Sequence, residues 1–99
     1  MTKLYKDESS LKKDIRVYLS SIGAYWTNIA GTVYNTKGHP DIFCIYKGKA
    51  IGIEAKNPNG NGIQSQWQKD RQQEIEDNGG IYILADTLED VTDFFNKLS

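Results

Sequence analysis

The segment "GHPDIFCIYKGKAIGIEAKNPNG", residues 38–60, decides the fold, because it reads as one β-hairpin with an electrostatic problem built in. Lys47-Gly48 is a plausible two-residue turn between two apolar runs. With that turn, Tyr46 pairs with Lys49 and every further pair sums to 95, so Phe43 faces Gly52 and Asp41 lies opposite Glu54. Like charges directly across a strand pair are destabilising. Strand alternation projects Asp41, Glu54 and Lys56 from one face, and Ile42, Cys44, Ile51, Ile53 and Ala55 from the other.

Upstream of the hairpin, residues 8–22 read as a helix, with Leu11, Ile15, Tyr18 or Leu19, and Ile22 recurring at spacings of three and four. Asp7 serves as its N-cap and Gly23 as its stop. Glu8 continues the apolar stripe backwards, at a position where an acid also favours the helix dipole. Residues 24–30 form a first strand, followed by a loop through Lys37. The hairpin supplies strands at 41–46 and 49–56, and "NPNGNG" (57–62) breaks the chain. A polar helix runs from Ser65 to Asn78 and ends at Gly79-Gly80. "IYILA" (81–85), nearly all apolar, suits a buried place in a sheet. "TLEDVTDFFNKL" closes the chain as a helix with Thr87 as N-cap. The order is αβββαβα, and a right-handed crossover sets strand 81–85 parallel to strand 49–56.

Bulk properties bound the function. The 99 residues make a single domain, 1–99, with the 38% hydrophobic and 25% charged content of an ordinary soluble protein. No apolar run approaches the ~20 residues needed to span a membrane, and no hydrophobic leader is visible at the start. The lone cysteine, Cys44, reads as packing in a reduced, cytoplasmic protein. A net charge of −1 excludes tight nucleic-acid binding by overall charge. DNA affinity would need a local patch, a bound metal or two copies.

The opposed acids have two readings. Lys56 and Lys37 could neutralise them at a solvated sheet end. Alternatively the pair is a cation site: Mg²⁺ takes oxygen ligands and keeps several waters, so Asp41, Glu54 and the backbone carbonyl of Ala55 would suffice. Lys56 would then stand beside the attacking water.

Asp41 after Pro40, then Glu54-Ala55-Lys56 beyond an intervening strand, resembles the PD-(D/E)XK motif of metal-dependent nucleases. The ordered set "GHPDIF", "IGIEAKNPNG", "QSQWQ" and "GGIYIL" is similar, more narrowly, to the virus-type replication-repair nuclease (VRR-NUC) family. The resemblance covers nearly the whole chain, as a minimal stand-alone member. It implies an α/β, restriction-endonuclease-like core, αβββαβ(α), with a mixed sheet of about four strands flanked by helices. It implies Mg²⁺ or Mn²⁺ as cofactor, Asp41 and Glu54 as metal carboxylates, and Lys56 as the lysine that polarises water or steadies the transition state. Glu8 matches an acidic residue that reaches the metal directly or through water. A glutamine of the following helix also belongs to the site; Gln68 fits better than Gln64 or Gln66. Gly38 matches a glycine whose missing side chain would let the phosphate backbone approach.

The expected reaction is hydrolysis of phosphodiester bonds in DNA, with one or two ions and no organic cofactor. Lys37 leads into the site and is the better phosphate contact; Lys69 lies on the polar helix, His39 could touch substrate, and Lys12 and Lys13 read as solvated. Trp26 reads as packing, whereas Trp67 could pack or stack on a base. So small a chain has little surface to read sequence, and a C2 homodimer would present two sites of opposed polarity. Branched DNA such as four-way junctions is therefore the expected substrate. Flap, nick or single-strand cleavage is an alternative, as is an inactive DNA-binding module of the same fold.

Overall fold

The computed structural model describes residues 5–29, 37–56 and 63–98. Its elements run α1 (Glu8–Ser21), β1 (Tyr25–Asn28), β2 (Ile42–Tyr46), β3 (Lys49–Ala55), α2 (Gln66–Asp77), β4 (Ile81–Ala85) and α3 (Leu88–Asn96). The sheet order is β1-β2-β3-β4, antiparallel except for the parallel β3–β4 pair. This is the α/β architecture and the element order expected from the sequence. The breaking segment 57–62 lies outside the described residues, as does Ala30 at the end of the expected first strand.

The hairpin has the anticipated register, with Tyr46 opposite Lys49 and Ile42 opposite Ile53. Lys47 and Gly48 both have positive φ, 50° and 78°, the requirement of a type I′ turn whose twist suits the strands it joins. The alternation also holds. Ile42, Cys44, Ile51, Ile53 and Ala55 are buried with Leu11, Ile15 and Leu19 of α1 and Val91 and Phe95 of α3. Each such side chain contributes roughly 1.5–3 kcal/mol when fully buried. Phe95 fills the corner between elements, meeting Tyr18 and Tyr46 edge-on at centroid distances of 5.9 and 5.5 Å. Cys44 is part of this core, and burial pushes its thiol up to about 11. Trp26 packs on the same cluster and donates its indole N–H to Ser20 Oγ at 2.8 Å.

The other face of the sheet carries α2, which buries none of its residues fully. Ile75 leans on Gly80, where a side chain would leave it no room, and touches the bare face of Gly52. Each helix begins with a side-chain cap. Asp7 accepts from the Ser10 N–H at 2.8 Å, and Ser65–Gln68 and Thr87–Asp90 form reciprocal capping boxes.

Two expectations change. β4, at the edge of the sheet, is not enclosed on both faces: Leu84 is 42% exposed. Asp41 falls just outside β2, because its side chain takes over the next β3 amide.

Candidate active site

Asp41 and Glu54 come together where β2 ends and β3 leaves the core. The Asp41 carbonyl accepts from the Ile29 N–H at 2.9 Å, so its main chain stays tied to the β1 side of the sheet. Pro40 lies over Gly52, where a Cβ would strike the ring, and this sets the approach of Asp41 to β3. Asp41 Oδ2 accepts the Ala55 N–H at 2.9 Å, while Oδ1 lies 3.8 Å from Lys12 Nζ. On the opposite flank of β3 the Lys56 N–H bonds to the Ala85 carbonyl at 2.8 Å. Backbone alternation therefore turns the Ala55 carbonyl, like its N–H, toward Asp41.

Glu54 is the only charged residue buried among those described, at 4% exposure. Its Oε2 accepts from Gln68 Nε2 at 2.8 Å and lies 3.8 Å from Lys56 Nζ. Its Oε1 is buried with no hydrogen-bond partner. Burial, and then the negative charge of Asp41, push the Glu54 carboxyl up to about 7, Glu8 adding to the rise and Lys56 and Lys12 opposing it. Leaving a buried polar atom unmatched typically costs ~1–3 kcal/mol. The orphan oxygen, the adjoining Asp41 carboxylate and the Ala55 carbonyl are hard oxygen donors of the kind Mg²⁺ or Mn²⁺ takes, and the residues fit such an ion.

Gln68 organises the rest. Its Oε1 accepts from Lys56 Nζ at 2.7 Å and from the Ser65 N–H at 2.9 Å. One amide thus completes the α2 capping box and joins the lysine to the buried acid. Gln64 is turned elsewhere, donating to Gln72 and Tyr82, and Gln66 donates to Asp70.

Several expectations are revised by these positions. Glu8 does not join Asp41 and Glu54 in a three-carboxylate cluster; among the described residues no three His, Cys, Asp or Glu side chains are so grouped. Lys12, one turn further along α1, is the side chain from that helix paired with Asp41, and the Glu8 charge acts on Glu54 through space. Lys12, expected to be solvated, is instead paired with Asp41, a contact set by the docking of α1 against the hairpin and not by any spacing within the helix. Lys37 does not neutralise the acids but sits over the Trp67 ring at 5.9 Å. Glu54 is buried and not solvated, while Asp41 is partly exposed. Gly38 has φ +91°, and a Cβ there would overlap the Trp67 carbonyl group and press on the Gln68 N–H. Its bareness therefore serves the packing of loop against helix. His39 and Lys69 are exposed, outside the hydrogen-bonded cluster.

The protein is therefore an α/β core with a mixed sheet, carrying an acid pair and a lysine where the central hairpin ends. A solved structure described as "VRR_NUC domain" has a similar fold, with a TM-score of 0.75 and 14% sequence identity, over 96% of this chain and 100% of that one. The chain thus has the VRR_NUC fold. No family model and no curated protein matches the sequence.

Proposed function

We propose that this protein is a divalent-metal-dependent DNA endonuclease that hydrolyses phosphodiester bonds in branched DNA, four-way junctions included, and works as a homodimer. The observation that carries the reading is Glu54 Oε1: a buried carboxylate oxygen with no partner, next to a second carboxylate. The VRR_NUC fold supports it.

Asp41, Glu54 and the Ala55 carbonyl would hold Mg²⁺ or Mn²⁺, with Glu8 reaching the site through water. Such an ion, when bound, neutralises phosphate charge and lowers the pKa of coordinated water. The chain's own residues supply the rest. Gln68 holds the Lys56 ammonium by one of its three donor positions, leaving two to orient a water or a phosphate oxygen. The Glu54–Gln68 bond keeps the carboxylate from rotating away. Lys37, His39 and Lys69 would contact the DNA backbone, and Gly38 sets the path of that loop. Because net charge is −1, affinity would rest on these local groups and on duplication of the site in a dimer.

A DNA-binding module without chemistry has no need for two opposed acids, one of them buried. Labelled four-way junction, flap and linear duplex, incubated with Mg²⁺, test the reading directly. Branched substrates should be cut in preference, and Lys56→Ala should abolish cutting while sparing metal binding. Calorimetric titration with Mn²⁺ should give heat that Asp41→Ala removes. Neither cutting nor carboxylate-dependent heat would leave the binding module standing instead. Sedimentation at micromolar concentration should show a dimer.

A further inference from the structure

Trp67 is the second residue of α2, immediately before Gln68, and it is 54% exposed. It takes no part in the hydrophobic core, unlike Trp26. A large aromatic ring half in water at a site with no packing role is informative. Its backbone is nonetheless held tightly. Gly38 lies so close beneath its carbonyl that no side chain fits, and the capping box of Ser65 and Gln68 fixes the same turn. Lys37 places its ammonium 5.9 Å from the ring centroid. An aromatic face and a cation are thus set together between the loop that leads into Asp41 and the turn that supplies Gln68.

We propose that Trp67 and Lys37 form a subsite for an unpaired nucleotide flanking the scissile phosphate, with the base on the indole and its phosphate on the ammonium. This rests on the nuclease reading and narrows its substrate to branched DNA with unpaired nucleotides at the cut. Base stacking on an aromatic side chain accepts any base and needs an uncovered π face; with Lys37 over one face, the base would take the other face of the half-exposed indole. In a duplex both faces of each base are already covered, and exposing one requires unstacking. An indole standing on a helix surface therefore prefers single-stranded or frayed DNA. The cation over the ring matches the alternation of base and phosphate along such a strand.

The test runs in EDTA, without Mg²⁺, so binding is read apart from cleavage. Fluorescence anisotropy would follow a labelled short oligothymidylate and a blunt duplex of equal length. Trp67→Ala should weaken oligothymidylate binding roughly 5- to 100-fold and leave the duplex affinity unchanged, with Trp67→Phe retaining most of the binding. In a Trp26→Phe background the remaining indole emission should be quenched by oligothymidylate. Equal losses for both DNAs, no loss, or no binding of either DNA would overturn the proposal. So would a loss of dimer with single-strand binding intact, since the ring would then serve contact between copies. A protein that binds in this way but never cuts with Mg²⁺ sinks the nuclease reading alone; one that cuts while Trp67→Ala binds normally sinks the subsite alone.

Discussion

Gln68 accepts a 2.7 Å hydrogen bond from the ammonium of Lys56, and through its amide nitrogen it passes a 2.8 Å bond on to Glu54. The orientation of that amide is determined by its neighbours. Two donors, Lys56 Nζ and the Ser65 N–H, meet the oxygen, and a carboxylate meets the nitrogen. Gln68→Glu separates the two roles. Glutamate at this position completes a capping box as well as glutamine does, so helix stability should change by less than about 1 kcal/mol. A third negative charge against Glu54 should nevertheless reduce cleavage at least tenfold. Circular dichroism and single-turnover rates read the two effects separately. Cleavage at the wild-type rate would show that the donor to Glu54 is dispensable.

The buried carboxyl of Glu54 makes the metal-free protein sensitive to pH. Its folded pKa is about 7 against an ordinary 4.5, so between those values the native state binds more protons than the unfolded state. Stability is therefore fully present below pH ~4.5 and declines as pH rises through 7, by roughly 3 kcal/mol at most. Urea unfolding in EDTA at pH 5 and pH 8 should show this loss, and Glu54→Gln should abolish the part that Glu54 carries. A wild type and a Glu54→Gln variant with the same pH slope would refute the assignment.

Sequence reading went furthest where a local rule governed the outcome. The I′ turn at Lys47-Gly48 fixes the hairpin register, and the register brings the ends carrying Asp41 and Glu54 together. Caps at Asp7 and Thr87 were legible for the same reason. What escaped depends on how elements dock. Lys12 is one of several lysines around α1, and nothing within the helix says that Asp41 stands opposite it. "IYILA" has the composition of an enclosed strand, but whether Leu84 is covered depends on how other elements dock. Gln68 is favoured over Gln64 and Gln66 by its place in "QSQWQ" and its distance from Gly79, without use of the N-cap. Once Ser65 is the cap, position three of the helix faces the site, and the capping box could have been read from Ser65 and Gln68 alone.

Gly38 is required by two independent constraints, a φ of +91° and contact with the first turn of α2. Gly38→Ala should lower unfolding stability by at least about 2 kcal/mol in a urea titration, from backbone strain and displaced packing together. The shift should also loosen Gln68, so cleavage by the folded fraction should drop as well. A loss below about 0.5 kcal/mol would mean that α2 slides freely over this loop.

Lys12 sets its ammonium 3.8 Å from Asp41 Oδ1. An ion bound by the two acids would share that carboxylate with it, so Lys12 and the metal compete for the same negative charge. Both partners of the pair are partly solvated, which limits what the ion pair gives the fold to ~1 kcal/mol or less. Lys12→Met should therefore leave unfolding nearly unchanged and strengthen Mn²⁺ binding, roughly three- to tenfold in calorimetry at low salt. The gain should shrink as salt is raised, because partly exposed charges are screened over about 10 Å at 0.1 M. Weaker metal binding in Lys12→Met would reverse the argument, making Lys12 the residue that holds Asp41 in place for the ion.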